Sequence, residues 1–285
     1  LSNYFQLSAA LFTKQRRRCY NILDFYPKGA PAVSSFRERL YISTIAGDAR
    51  ELALEEGVGL EIADYCTACN MDALFDETDR AVRAKMKGVD RFIYHCAYNE
   101  LCPAAIDPLV REHTARRYDQ SIRMALHYGI RKVVIHTGYI PQVYFPEWFV
   151  PESVSFWRSY LPTVPEDVTI CLENVMESDP ELPVEIVRRV DDPRFRLCLD
   201  TGHANTRLSR APVPVWIEKM APWLCHVHIH NNDGETDLHA PLGQGVLDMN
   251  VLLRQIEELC PRATYTIENI SAAASIRWLR ENKYM

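Results

Sequence analysis

The sequence predicts an α/β protein built as one (β/α)8 barrel, and three observations carry that reading. Eight short apolar, β-branched runs alternate with amphipathic helical stretches. The βα units recur roughly every 25–40 residues, with no antiparallel hairpin signal between them. The length of 285 residues suits a single barrel of about 250 residues carrying an extension.

The strand candidates are "LYIST" (40–44), "GLEIA" (59–63), "RFIYH" (91–95), "KVVIH" (132–136), "TICLE" (169–173), "RLCLD" (196–200), "CHVHIH" (225–230) and "TYTIE" (264–268). Between them, apolar residues at three-to-four spacing mark helices at "DARELALEEG", "DETDRAVRAKMKG", "DPLVREHTARRYDQSIRMALHYG", "LPVEIVRRV", "VPVWIEKMA", "MNVLLRQIEEL" and "AAASIRWLREN". A further helix is expected near residues 154–161. The stretch "TGYIPQVYFPEWFVPES" (137–153) reads as a long aromatic loop, serving either as a lid that brings Trp148 onto a substrate or as packing on the barrel rim. Residues 1–36 carry a basic run and a Pro/Gly/Ser-rich linker. They are read as a loosely ordered extension, with the barrel over 37–285.

Composition narrows the function classes. A net charge of −6 argues against non-specific nucleic-acid binding, which depends on Lys and Arg neutralising phosphates. No apolar run reaches the ~18 residues of a membrane span. The basic run follows the short apolar "LSAALF", the reverse of a signal peptide. Nine cysteines, three of them inside strand-like runs, read as free thiols in a reducing compartment, so a cytoplasmic protein is expected. The lone CxxC at Cys66 and Cys69 has no second half and is a weak zinc or redox signal. A homo-oligomer is left open.

Six consecutive strands end in a side chain that can donate to a metal: His95, His136, Glu173, Asp200, His228 and Glu268. One polar strand end means little. Six in register would cost several kcal/mol each if left unpaired, and a shared metal centre removes most of that cost. Strand parity agrees. Two residues back from four of these lie Cys171, Cys198, His226 and Thr266, small or polar groups facing the same way. The apolar Leu172, Leu199, Val227 and Ile267 between them would face the helices. The alternation of His226, His228 and His230 then has a reason: one face of the seventh strand looks into the barrel. His226 is expected in a hydrogen-bonding layer below the site, and His230 at the rim near substrate. His203 lies just past the sixth strand, and Asp237 and His239 form a DxH after the seventh. Gly243 and Gly245 read equally as turn residues or as an anion cradle. Glu61 in the second strand reads as a sugar-hydroxyl partner or an ordinary strand-end acid.

Over residues 38–285, "CLENV" (171–175), "LCLDTGHAN" (197–205), "HVHIHNNDG" (226–234), "DLHAPLGQG" (237–245) and "TIENI" (266–270) resemble the xylose-isomerase-like TIM barrels. That superfamily holds sugar phosphate isomerases and epimerases together with endonuclease IV. The isomerase resemblance implies one divalent ion on Glu173, Asp200, His228 and Glu268, with His203 near the substrate. The endonuclease resemblance implies up to three zinc ions. His95, His136 and Glu173 would hold the first. Asp200, His228 and Glu268, with Glu173 bridging, would hold the second. His203, Asp237 and His239 would hold the third. The chain departs from the endonuclease after the fifth strand, where "NVMESDPELP" replaces a Gly-rich stretch, and at Gly202, where the endonuclease has Cys. Its loops are acidic, with Arg207 and Arg210 nearly alone.

The expected function is therefore a metal-dependent sugar or sugar-phosphate isomerase or epimerase, with Glu173 and Glu268 as the acid/base pair. The expected cofactor is Zn or Mn, as one tight ion with up to two weaker ones, since imidazoles disfavour Mg. The alternatives are an endonuclease IV-like zinc phosphodiesterase and a metal-stabilised barrel without catalysis.

Overall fold

The computed structural model describes residues 34–285. The expected extension lies outside them except for its last three residues. Of those, Phe36 is buried and its ring packs on Tyr265 and Tyr284 at the base of the barrel.

Eight parallel strands close in sequence order: β1 (Leu40–Ser43), β2 (Gly59–Ile62), β3 (Phe92–His95), β4 (Lys132–His136), β5 (Thr169–Glu173), β6 (Phe195–Asp200), β7 (Leu224–Ile229) and β8 (Thr264–Ile267). β8 pairs with β1, so no strand edge is left open. The helices are α1 (Ala49–Glu56), α2 (Phe75–Met86), α3 (Pro108–His127), α4 (Pro146–Tyr160), α5 (Glu181–Val190), α6 (Val213–Met220), α7 (Met249–Leu259) and α8 (Ala273–Glu281). Local chemistry sets their starts. Asp107 caps α3 by accepting from the Leu109 amide, with Pro108 in the first turn, and Asp248 caps α7 by accepting from Val251. Among the described residues, no helix is long and apolar enough to cross a membrane.

The alternation expected along the strands holds. Leu172, Leu199, Val227 and Ile267 join the large apolar layer between strands and helices. Cys171 and Cys198 form a separate interior cluster with Tyr41, Ile93 and Val134. Above that cluster, at the C-terminal ends of the strands, the interior turns polar and every strand-end donor is carried there.

One element differs from expectation. The aromatic stretch after β4 is not a loop throughout: α4 begins at Pro146, eight residues before the expected helix. Pro146 occupies the first turn, where a missing amide costs nothing. Pro151 sits inside the helix and removes one hydrogen bond. Burial of Phe149, Val150, Ser153, Val154 and Trp157, at helical spacing, outweighs that loss.

Candidate metal centre

Four side chains matched by motif meet around one imidazole nitrogen. Nδ1 of His228, on β7, lies 3.2 Å from Glu173 Oε1, 3.3 Å from Glu268 Oε2 and 3.8 Å from Asp200 Oδ2. Glu173 ends β5, Asp200 ends β6 in register with His228, and Glu268 follows β8 directly. The second Glu173 oxygen faces His95 Nε2 at 3.2 Å and His136 Nε2 at 3.3 Å. On the other flank, Asp237 Oδ2 lies 3.2 Å from His203 Nε2 and 3.0 Å from His239 Nε2. His95, His136 and Glu173 form one group with donor atoms within 4.8 Å of one another, and His203, Asp237 and His239 form another. His230, His239 and Glu268 make a third such group, a combination the spacing in the sequence did not suggest.

The charge balance of this cluster fits a divalent cation. Glu173, Asp200 and Glu268 are buried, and their ion-pair partners are all histidines. Burial pushes the Glu173 carboxyl upward, but the His228 and His136 imidazoles beside it outweigh that and hold it well below the usual range. Asp200 is likewise raised by burial and brought down further by His203 and His230. Burial favours neutral His228, yet the acids around it raise its pKa well above the ordinary value. His203 is raised in the same way, chiefly by Asp200 against burial. Burial opposes the charge on His239, but Asp237 and Glu268 push it up to about 9. Anionic carboxylates packed among imidazoles, with no Lys or Arg of the described residues paired to them, are the donor chemistry of a divalent-metal site.

A layer below aims the donors. Glu61 accepts from both histidines of the strand face, with Oε1 3.0 Å from His228 Nε2 and Oε2 3.0 Å from His226 Nε2. Thr266 donates to Glu61 Oε2 at 2.6 Å, and His226 Nδ1 contacts Thr264 Oγ1 at 2.6 Å. This chain holds the His228 ring with Nδ1 toward the carboxylates, the usual task of a group behind a metal-binding histidine. Burial brings the His226 pKa down to about 4, so that ring is neutral.

Of the four side chains expected to touch substrate, only His203 lines the cleft above the cluster. Glu61 is fully buried beneath His228, because β2 turns it into the barrel axis. His230 is not on the rim. It is fully enclosed, 3.0 Å from Asp200 Oδ2, with its ring stacked on His239 at 4.1 Å. It fits there because residue 202 is glycine: a Cβ at that position would lie 1.9 Å from His230 Cε1. Trp148 stands at the start of α4, where its indole N–H donates to the Ala104 carbonyl at 3.0 Å. Gly243 and Gly245 are not among the cleft residues.

The cleft has a volume of about 590 Å³, and among the described residues no Lys or Arg lines it. Tyr98, three residues past His95, lies flat on the His136 ring at 4.1 Å. It was not singled out in the sequence, although "HCAYNE" places it in the loop just past β3. Two asparagines were missed as well. Asn174 clasps Asp200 through both its backbone N–H and C=O, and Asn269 donates to the carbonyls of His239 and Ala240. The repeated Glu-Asn pair at 173–174 and 268–269 was the available signal: the acid faces the site and the amide locks the next loop.

Comparison with known proteins agrees with this fold. The chain is 29% identical over 188 residues to the uncharacterized protein MJ1311 of Methanocaldococcus jannaschii. That match covers 62% of this chain and 64% of its relative, so the chain spans less than two thirds of the protein it matches. Among solved structures it resembles the TTHB071 protein from Thermus thermophilus soaked with ZnCl2, with 25% identity, a TM-score of 0.67, and coverage of 86% of this chain and 97% of the other. It also resembles a D-tagatose 3-epimerase-like protein, with 24% identity, a TM-score of 0.64, and coverage of 86% and 96%. Residues 58–282 match the family model of the xylose isomerase-like TIM barrel, and the chain belongs to that family.

Proposed function

We propose that this protein is a metal-dependent epimerase or isomerase of a small carbohydrate, moving a proton at a carbon next to a carbonyl. The observation that carries the reading is the placement of Glu173 and Glu268. They flank His228 Nδ1 from β5 and from the end of β8, and both line the cleft. A carbon held between them has one carboxylate to take its proton and another to return one at the neighbouring atom or on the opposite face. Glu173, Asp200, His228 and Glu268 would hold a Zn or Mn ion tightly, and a divalent ion bound there polarises a carbonyl and its adjacent hydroxyl. His203 would bind a sugar hydroxyl, and His95, His136, Asp237 and His239 would serve up to two weaker sites. The D-tagatose 3-epimerase-like protein and the zinc-soaked Thermus protein, both of this fold, support the chemistry and the metal. The eight cysteines among the described residues are free thiols, in keeping with a reducing cytoplasm.

A second reading, phosphodiester hydrolysis, draws on one specific observation: all nine donors of a trinuclear centre face one another in this cluster. The cleft argues against it, since among the described residues no Lys or Arg lines the approach for a nucleic-acid backbone.

The test is solvent exchange. The metal-loaded protein in deuterated water, supplied with a panel of ketoses, is expected to place deuterium at the carbon beside the carbonyl. Glu268→Gln, with its metal content verified, should reduce that rate by about 10²–10⁴. Enzyme-like cleavage of abasic-site DNA with no sugar exchange would select the second reading.

A further inference from the structure

A band of apolar side chains stands open on the surface beside the cleft. Two stretches supply it. "AIDPLV" (105–110) leads from the loop after β3 into the first turn of α3, and "IPQVYF" (140–145) leads from the loop after β4 to the start of α4. Ile106, Leu109, Val143 and Phe145 are 67%, 69%, 57% and 69% exposed, and Val110 and Ile140 are exposed at the cleft wall. Asp107 is the one charged residue in the two stretches, and its carboxylate is turned onto the Leu109 amide as the cap of α3.

The two stretches form one face. Val110 and Ile140 line the same cleft. Trp148, in the first turn of α4, donates its indole N–H to the Ala104 carbonyl at 3.0 Å, and Arg111 of α3 lies 3.7 Å from Glu152 of α4. Arg111 also donates to the Ala105 carbonyl at 2.6 Å, and Pro108, Pro141 and Pro146 stiffen the backbone. A face fixed in this way loses little conformational freedom when it is covered. With roughly 150–250 Å² for a large apolar side chain, the six side chains leave roughly 600–700 Å² open at their exposures. The largest apolar patch of a monomer is about 300–600 Å². A stable interface takes about 800 Å² from each partner, part of it a polar rim.

We propose that this face is where a second copy of the chain docks, as a twofold homodimer. An apolar face is complementary to itself, and a twofold axis sets the same patch of one copy against that of the other. Homodimer interfaces are also the more apolar class. A lipid surface fits less well. Faces that lie in a membrane carry Lys and Arg beside their apolar residues. Here the cation next to Val110 is Arg111, which is committed to Glu152 and the Ala105 carbonyl, and the flanking Asp107 and Glu147 are acidic.

The experiment is sedimentation velocity of the full chain at micromolar loading, where a species of twice the chain mass is expected. Leu109→Glu and Phe145→Glu, both at solvent-facing positions, should each raise the dimer Kd about thirtyfold or more, the loss of a central anchor. Val251→Glu, at a half-exposed position on α7, should leave the Kd unchanged. Circular dichroism melts check that each variant folds. A monomeric parent chain would overturn the proposal, and flotation of that monomer with phosphatidylcholine vesicles would assign the face to a lipid surface instead. A dimer that persists in both face variants, or that Val251→Glu breaks equally, would overturn it as well.

Discussion

Glu61 shows how one buried carboxylate can matter without touching substrate. It is held between His226 and His228, and removing its charge frees the His228 ring to turn. Glu61→Gln is therefore expected to weaken metal binding about 10–100-fold, measured by titrating the metal-free protein with zinc against a competing chelator. Unchanged affinity would mean that packing alone orients His228. Gly202 is a second such position. Its missing Cβ is the space His230 occupies beside Asp200. Gly202→Ala should destabilise the fold by about 1–3 kcal/mol through overpacking and weaken the metal site as well, read by denaturant unfolding and metal content together. Loss of stability with intact metal content would show that His230 packs without holding Asp200 in place.

At the scale of the elements, the strands bring a second polar group into the barrel, at its N-terminal end. Lys132, from the start of β4, donates to the Cys225 carbonyl at 2.8 Å and to Thr264 Oγ1 at 2.7 Å. The Cys225 thiol lies 3.1 Å from that of Cys171. The Cys171 thiol hydrogen bond, against burial, and then the Lys132 ammonium bring Cys225 down to about 6, whereas burial pushes Cys198 up to about 12. Since the thiolate is the nucleophile, Cys225 is expected to alkylate at pH 7 while Cys171 and Cys198 stay protected. Lys132→Met should slow that reaction. Peptide mapping after iodoacetamide treatment checks both outcomes, and equal labelling of the three thiols would contradict the ordering.

For the molecule as a whole, the donor cluster couples folding to metal and to pH. In the metal-free protein His95, His203, His228 and His239 all have raised pKa values, and His239 reaches about 9. A raised histidine stabilises fully below its unfolded value near 6.5, and that contribution fades as pH climbs through the folded value. Glu173, Asp200, Asp237 and Glu61 are lowered, so their contribution is present above about pH 4 and lost as pH falls through their folded values. The metal-free protein should be most stable between roughly pH 4.5 and 6.5 and should lose stability toward pH 9. Metal needs deprotonated imidazoles, so its affinity rises over the same range. The Tm difference between loaded and stripped protein should therefore widen from pH 6 to pH 8. At zinc about 1,000-fold above its Kd the stabilisation is about 4 kcal/mol, or roughly 8–16 °C for a chain of this size. Scanning calorimetry of both forms across that range is the measurement, and a Tm difference that narrows with pH would refute the coupling.

Much of this was legible in the chain itself. Period-two alternation in eight apolar runs separated by helical periods specifies a closed parallel barrel, because each strand has one face for the helices and one for the axis. The same parity brings His95, His136, Glu173, Asp200, His228 and Glu268 to one end, since all six stand at or within one residue of their strands' C-terminal ends. What the sequence could not show is depth. His226 was rightly expected below the site, but Glu61 and His230 read as groups within reach of substrate, and only the closure and stagger of the strands seals both beneath other rings. The same holds for α4, whose prolines read as loop until the burial of Phe149 and Trp157 outweighs one lost hydrogen bond. The chemistry of the donors is local and could be read residue by residue. The shape of the cleft above them arises where loops from different strands meet, and only the folded barrel brings them together.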